Sequence, residues 1–333
     1  MQTQRLTSAE ISQLWSMYMN DSMSVCTFKH SLKTVEDSEV RAVIEYGLSL
    51  SQDHVEKLKT LFQSENIPVP IGLNEQDVDL TAPSLYTDEF WINNVKQTGQ
   101  MGLTLYSQAL SLAARPDIQY LFSECLRESI KLREQAMDVL LTKGIYVRAP
   151  YITTPNKVDF VTNQNFLAGF FGEKRPLLSL EVANLYDNIQ RNALGQQLLT
   201  GFQQVARSKK VRQYIERGKE IAGKHTNLFS NVLQKEELPA SVMWDTGVKE
   251  STVPPFSDKL MMFQTSAMNA AGIAYYGTSM STCLRRDLST HYARLMVEIG
   301  LFAEDGINLM IENGWFEEPP RTINHNELAK GND

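Results

Sequence analysis

Val40-Arg-Ala-Val-Ile-Glu-Tyr-Gly-Leu-Ser-Leu-Ser-Gln-Asp-His54 and Val211-Arg-Gln-Tyr-Ile-Glu-Arg-Gly-Lys-Glu-Ile-Ala-Gly-Lys-His225 carry one pattern twice, with Val-Arg, Ile-Glu, Gly and His at the same spacing. The copies stand 171 residues apart (54 to 225), and the register extends in both directions. Towards the N-terminus it pairs Ser8, Glu10 and Leu14 with Ser179, Glu181 and Leu185; beyond His54 it pairs Pro68 with Pro239. One residue is then lost, and an offset of 170 (88 to 258) pairs Asp88, Gly102, Tyr106 and Arg115 with Asp258, Gly272, Tyr276 and Arg285. Asp117, Glu128, Glu134, Gly144 and Pro150 follow, matched by Asp287, Glu298, Glu304, Gly314 and Pro320. Chance does not hold register over most of two such segments, so the chain is a tandem duplication.

Each copy reads as four helices. In the first, Val40, Ile44, Gly47, Leu50, Ser51, Leu58 and Leu61 fall on one face at helical spacing. Helix one is predicted from Ser8, as N-cap, to about Val35; helix two runs from about Ser38 to Glu65 and stops before Ile67-Pro68, because proline cannot continue it. Helix three is expected over Tyr86 to Ala114. Helix four starts with Asp117 as N-cap and ends at Gly144. Few β-branched alternations occur, so no strands are expected.

The segment Asn66 to Leu85, with Pro68, Pro70, Gly72 and Pro83, lacks a helical period. A structureless connection of that length is uncommon in a compact domain. It makes sense if it runs along the bundle and makes helices two and three parallel. The expected fold is therefore all-α: two tandem ferritin-like four-helix bundles, up-down-down-up, each with a long crossover between its second and third helices. The expected division is a bundle over 1–150, a linker over 151–176, a second bundle over 177–320 and a polar tail over 321–333. The apolar run Phe166-Leu-Ala-Gly-Phe-Phe171 in the linker is expected to pack on a bundle or between the two, with docking of a partner as the rival reading.

Composition narrows the function. In 333 residues, 42% are hydrophobic and 21% charged, which suits a folded globular chain. A net charge of −7 argues against a general nucleic-acid binder, which needs a basic face. No apolar run is long enough to span a membrane, and the polar start of the chain predicts no cleaved leader. Three scattered cysteines suit reduced, buried thiols in a cytoplasmic setting, not a disulfide framework or a zinc site. Met261, Met262 and Met310 read as core filler, and the basic corner Arg207 to Lys210 reads as solvated.

Diiron bundles carry Glu-x-x-His on two helices. None of the five histidines here has a carboxylate three residues before it. No phosphate loop, nucleophile elbow or His-Glu-x-x-His occurs either. What remains is a matter of height. His54 lies about 11 residues before the end of helix two and Glu128 about 11 after the start of helix four, so both sit ~16 Å from one end of the bundle. Asp21 and Tyr106 fall in the same layer, and the second copy supplies Asn192, His225, Tyr276 and Glu298. His291, seven residues before Glu298, could add a second imidazole to the second copy alone, since its counterpart is Leu121. Two readings compete for this layer. In one, His54, Glu128, Asp21 and Tyr106, with His225, Glu298, Tyr276 and His291, hold a divalent transition metal ion or one end of a small ligand. In the other, preferred, the histidines are simply satisfied by hydrogen bonds inside a packed core.

The segments Leu14-Trp-Ser-Met-Tyr-Met-Asn-Asp21, Val-Arg-x-x-Ile-Glu-x-Gly with its downstream His, Pro254-Pro-Phe-Ser-Asp-Lys-Leu-Met261 and Arg285-Arg-Asp287 resemble a family from spore-forming Gram-positive bacteria, known only as a domain of unknown function. That family is commonly duplicated. The likeness runs from about Leu6 to Lys330 and implies a ferritin-like fold; more remotely the chain is similar to the spore coat protein F group. It implies no ligand or catalytic residue. The expected function is thus a non-enzymatic bundle protein, cytoplasmic or spore-associated, with a structural or interaction role and a protein partner or homo-oligomer. The alternative is a metal- or ligand-binding protein with a degenerate, redox-capable site in each bundle.

Overall fold

The computed structural model describes residues 4–171, 174–240 and 247–325. Eight long helices account for most of them: α1 (Ser8–Thr34), α2 (Ser38–Ser64), α3 (Asp88–Leu112) and α4 (Pro116–Thr142), then α5 (Ser179–Val205), α6 (Lys209–Lys235), α7 (Asp258–Thr282) and α8 (Arg286–Glu312). The duplication is visible in their lengths, 27, 27, 25 and 27 residues in each copy. No strand forms among the described residues; there are two isolated β-bridges.

The residues held in register by the duplication turn out to be clamps at helix ends. Buried Glu10 closes a capping box on Thr7 and accepts the backbone N–H groups of Ala114 (3.0 Å) and Arg115 (2.8 Å) between α3 and α4. Glu181 does the same for Leu284 and Arg285. Arg115 ties Glu65 at the end of α2 to Asp117, as Arg285 ties Glu236 to Asp287. Asp88 accepts the N–H groups of Glu36 and Asp37, and Asp258 those of Arg207 and Ser208.

These clamps fix the topology. Asp88 opens α3 and touches the start of α2, so α2 and α3 run parallel. The start of α4 meets the end of α2 and, through Glu10, the start of α1. Each copy is therefore an up-down-down-up bundle with its crossover between the second and third helices, as the sequence predicts. Two caps differ from expectation. Thr7, not Ser8, is the N-cap of α1. At α4 Arg115 holds the cap position with Pro116 next, because Asp117 is drawn back to the Arg115 guanidinium. Gly144 and Gly314 end α4 and α8 at φ +68°, a conformation that suits glycine.

The two bundles meet through their crossovers, which pair about a pseudo-twofold axis. Asp79 N–H donates to Pro255 O (2.8 Å) and Lys249 N–H to Leu85 O (2.9 Å); Thr87 N–H donates to Gly247 O (3.0 Å) and Ser257 N–H to Asp77 O (2.9 Å). Residue pairs exchange roles under the 170-residue offset, which is the signature of an isologous contact. Apolar side chains of both bundles join one core there, and the Tyr86 hydroxyl donates to Leu198 O at 2.7 Å. The crossovers are thus extended connections and also the dimer-like seam of a single chain.

The linker departs from expectation. Phe166 lies under the Arg175 guanidinium, 4.3 Å from ring centre to carbon, and Gly169 is buried beside Asp287. Phe170 and Phe171 are nevertheless exposed, at 58% and 90%, so only the first part of the apolar run docks. Of the predicted tail, 321–325 is exposed and 326–333 lies outside the described residues.

Candidate functional site

In the first bundle all four helices contribute to one buried cluster. His54 of α2 donates from Nδ1 to Asp21 of α1 at 3.1 Å, and its Nε2 lies 2.7 Å from Glu128 Oε2 of α4. The Tyr106 hydroxyl of α3 reaches Asp21 at 3.5 Å. Glu128 turns inward and remains 23% exposed against 4% for the His54 side chain. Burial opposes a charge on His54, but hydrogen bonds to Asp21, Cys125 and Glu128 outweigh it and push its pKa up to about 12. The same pairing holds the Glu128 carboxyl below its ordinary range.

Sequence reasoning missed Cys125. It sits one turn before Glu128 on the same face of α4, and His54, Cys125 and Glu128 bring ligand atoms within 4.8 Å of one another. The Cys-x-x-Glu spacing was a readable signal, because positions i and i+3 share a helix face. Desolvation raises the Cys125 thiol pKa, so in this cluster it is neutral.

The second bundle keeps the layer and discards its charges. Asn192 replaces Asp21 and donates to the Tyr276 hydroxyl at 2.7 Å; that hydroxyl meets His225 Nδ1 at 3.0 Å, and His225 Nε2 meets Glu298 at 3.2 Å. These partners fix the tautomer: Nε2 carries the proton and Nδ1 accepts from Tyr276. Burial lowers the His225 pKa, with Glu298 opposing, so this imidazole is neutral. Lys224 takes the position of Asp53 and pairs with Glu298 at 2.6 Å, while Leu295 stands where the first bundle has Cys125. His291 does not join: seven residues of helix put it ~10 Å along the axis from Glu298, among Arg294, Asp287, Lys174 and Lys235.

A glycine marks the other contrast. A Cβ on Gly102 would lie 2.9 Å from Ser129 Cβ, so α3 and α4 touch there; a Cβ on Gly272 would meet only Ile299 Cδ1, at 3.6 Å. Close packing at this position holds only in the first bundle.

The profile of a family described as "Protein of unknown function (DUF3231)" matches residues 1–158 and again 165–328. The chain belongs to this family. The two matches fall on the two bundles, so the DUF3231 unit is one bundle and this protein holds two. No curated protein matches the chain. Among solved structures it is similar to a proposed spore coat protein of Bacillus halodurans C-125, at 16% identity and a TM-score of 0.42, over 46% of this chain and 99% of that one. Among the described residues no helix is long and apolar enough to cross a membrane.

Proposed function

We propose that this DUF3231 protein is a non-enzymatic, ferritin-like bundle protein whose N-terminal unit holds one divalent transition metal ion, through His54 Nε2, Glu128 and Cys125. Asp21 would hold the Nδ1–H and so orient the ring, the usual partner of a metal-bound imidazole. The observation that carries the reading is the charge contrast between equivalent layers. Glu128, the His54 imidazole and the Cys125 thiol surround one point in the first bundle, with Asp21 on the far side of the ring, and even with the imidazole protonated the layer keeps a net negative charge. In the second bundle Asn192 and Lys224 remove that surplus, and Leu295 removes the thiol. The first layer therefore offers a cation an anionic donor set that the second layer lacks.

The ion would open the short His54–Glu128 hydrogen bond and replace two protons, those on Nε2 and on the Cys125 thiol. Affinity should therefore rise with pH. The test is metal content by elemental mass spectrometry together with the cobalt(II) spectrum. One ion per chain and a thiolate-to-cobalt band are expected, both lost in His54→Ala and Cys125→Ser and kept in His225→Ala. A metal-free protein without the band would leave His54 as packing chemistry.

An interaction role is favoured by a separate observation. Tyr151, Val158, Phe160 and Phe171 of the linker are each more than four-fifths exposed, more apolar surface than a lone segment normally shows to water. A second copy of the chain would cover them. Sedimentation should show a dimer that Phe160→Ser with Phe171→Ser dissociates; a 37.7 kDa monomer in the parent protein would end this reading. A spore-associated location is the setting that the family resemblance suggests, and fractionation of sporulating cells would test it.

A further inference from the structure

A cavity of about 190 Å³ lies on the pseudo-twofold axis between the bundles, walled by α1 and α3 of one and α5 and α7 of the other. Its walls come in equivalent pairs, among them Asn20 with Arg191 and Asn94 with Gln264. From the axis it extends into the second bundle only, past Gly272 to His225 and Tyr276. In the first bundle the contact of Gly102 with Ser129 closes the equivalent path.

Four polar atoms of the lining residues are buried without a hydrogen-bond partner: Asn20 Oδ1, Arg191 Nη1, Gln264 Oε1 and Tyr275 OH. Buried polar atoms are nearly always paired, so four around one void imply an occupant that supplies the partners. Arg191 is held in place for this. Its Nε and Nη2 both bind Asp187, at 2.9 and 2.6 Å, and its guanidinium lies 3.2 Å above the Tyr275 ring centre. That leaves Nη1 as a fixed, unsatisfied donor. Among the described residues no Asp or Glu lines the cavity, and at its inner end His225 is already satisfied by Tyr276 and Glu298. Much of the remaining wall is apolar, with Phe28, Leu198, Leu199 and Met268.

We propose that this cavity binds a small, ring-sized carboxylic acid, its carboxylate on Arg191 Nη1 and Tyr275 OH and its apolar body directed towards His225. A void of about 150 Å³ holds benzene, so this one has room for an aromatic ring bearing a carboxylate. The Gln264 amide can turn to present its NH2 to the carboxylate. Asn20 cannot without losing the bond from its Nδ2 to Ser16 O (2.8 Å), so its Oδ1 asks for a donor, such as a ring hydroxyl.

Benzoate, 3-hydroxybenzoate and benzyl alcohol are suitable probes, read by titration calorimetry and by the shift in thermal midpoint of the full chain. Saturable binding of benzoate is expected, tighter for 3-hydroxybenzoate, and roughly tenfold weaker for benzyl alcohol, which lacks the charge-assisted contact. Arg191→Met should abolish the preference for the acid. Gly195→Leu should block every probe while leaving helix content unchanged, with Ala271→Leu as the second blocking variant if the first fails to fold. No saturation by either acid up to about 10 mM, a level at which affinity would be under ~3 kcal/mol, would overturn the proposal. Binding that survives both blocking variants, or acid binding indifferent to Arg191, would overturn it equally.

Discussion

The layers around His54 and His225 occupy the same rung of the same bundle, and they handle charge in opposite ways. In the first, the imidazole is a cation between Asp21 and Glu128, with Cys125 beside it and helices pressed together at Gly102. In the second it is a neutral link between Tyr276 and Glu298, Lys224 supplies the cation from outside, and Gly272 opens on a cavity. Once a fold is duplicated within one chain, one copy can keep a charged site while the other exchanges it for space. The clamps Glu10/Glu181, Arg115/Arg285 and Asp88/Asp258 stay the same in both because each bundle needs its helix ends tied.

The largest expected difference is in stability. In chelator-treated protein, His54→Ala leaves two carboxylates facing each other in a largely buried layer, and a loss of about 3–5 kcal/mol is expected, as when one member of a buried ion pair is removed. His225→Ala strands only hydrogen-bonding groups and should cost about 1–3 kcal/mol. Urea unfolding of both variants measures the gap; equal losses would mean that the charge contrast has no energetic content.

The paired glycines should respond with opposite signs. Gly102→Ala pushes a methyl group against Ser129 and should destabilise by about 1–3 kcal/mol, the usual range for overpacking. Gly272→Ala meets only ordinary contact with Ile299 and should stabilise by about 0.4–1 kcal/mol through the unfolded chain. Thermal midpoints of the two variants decide it, and a matching sign would remove the packing contrast between the bundles.

Much of this contrast was in the sequence, and some could not be. The repeat, the helices and the parallel α2/α3 pair followed from spacing and proline. The shared height of His54, Glu128, Asp21 and Tyr106 followed from helical rise alone. Counting along helices gives height but not rotation, so the inward turn of Glu128 needed the packed structure, whereas the ~10 Å of helical rise that excludes His291 was readable from its spacing. Cys125 was legible at i, i+3 from Glu128 but was passed over in a search for histidine and carboxylate spacings. The pairing of crossovers about a pseudo-twofold axis was beyond reach, because the sequence pattern of a crossover does not name its partner. For the same reason the cavity was invisible: its unpaired atoms come from helices of both bundles, and each reads as an ordinary surface polar residue on its own.

The smallest effect concerns protons and separates the layers by sign. His225 has its folded pKa lowered, first by burial, while the unfolded value is near 6.5. Its contribution to stability is therefore fully present above ~6.5 and is lost as pH falls through the lower folded value. His54 has its folded pKa raised to about 12 by its carboxylate partners, so its contribution is fully present below ~6.5 and is lost only as pH rises towards that value. Acidification from pH 7 to 5 should thus weaken the second bundle through His225 and leave the His54 contribution whole, down to the pH at which Glu128 takes up its proton. Imidazole NMR signals followed through this range give the direct reading. The His54 ring should hold a protonated shift across the whole range, and that of His225 should stay neutral below the pH at which an ordinary imidazole protonates. A His54 ring that titrates near the ordinary value would show that the two carboxylates do not charge it, and the difference between the bundles would reduce to shape.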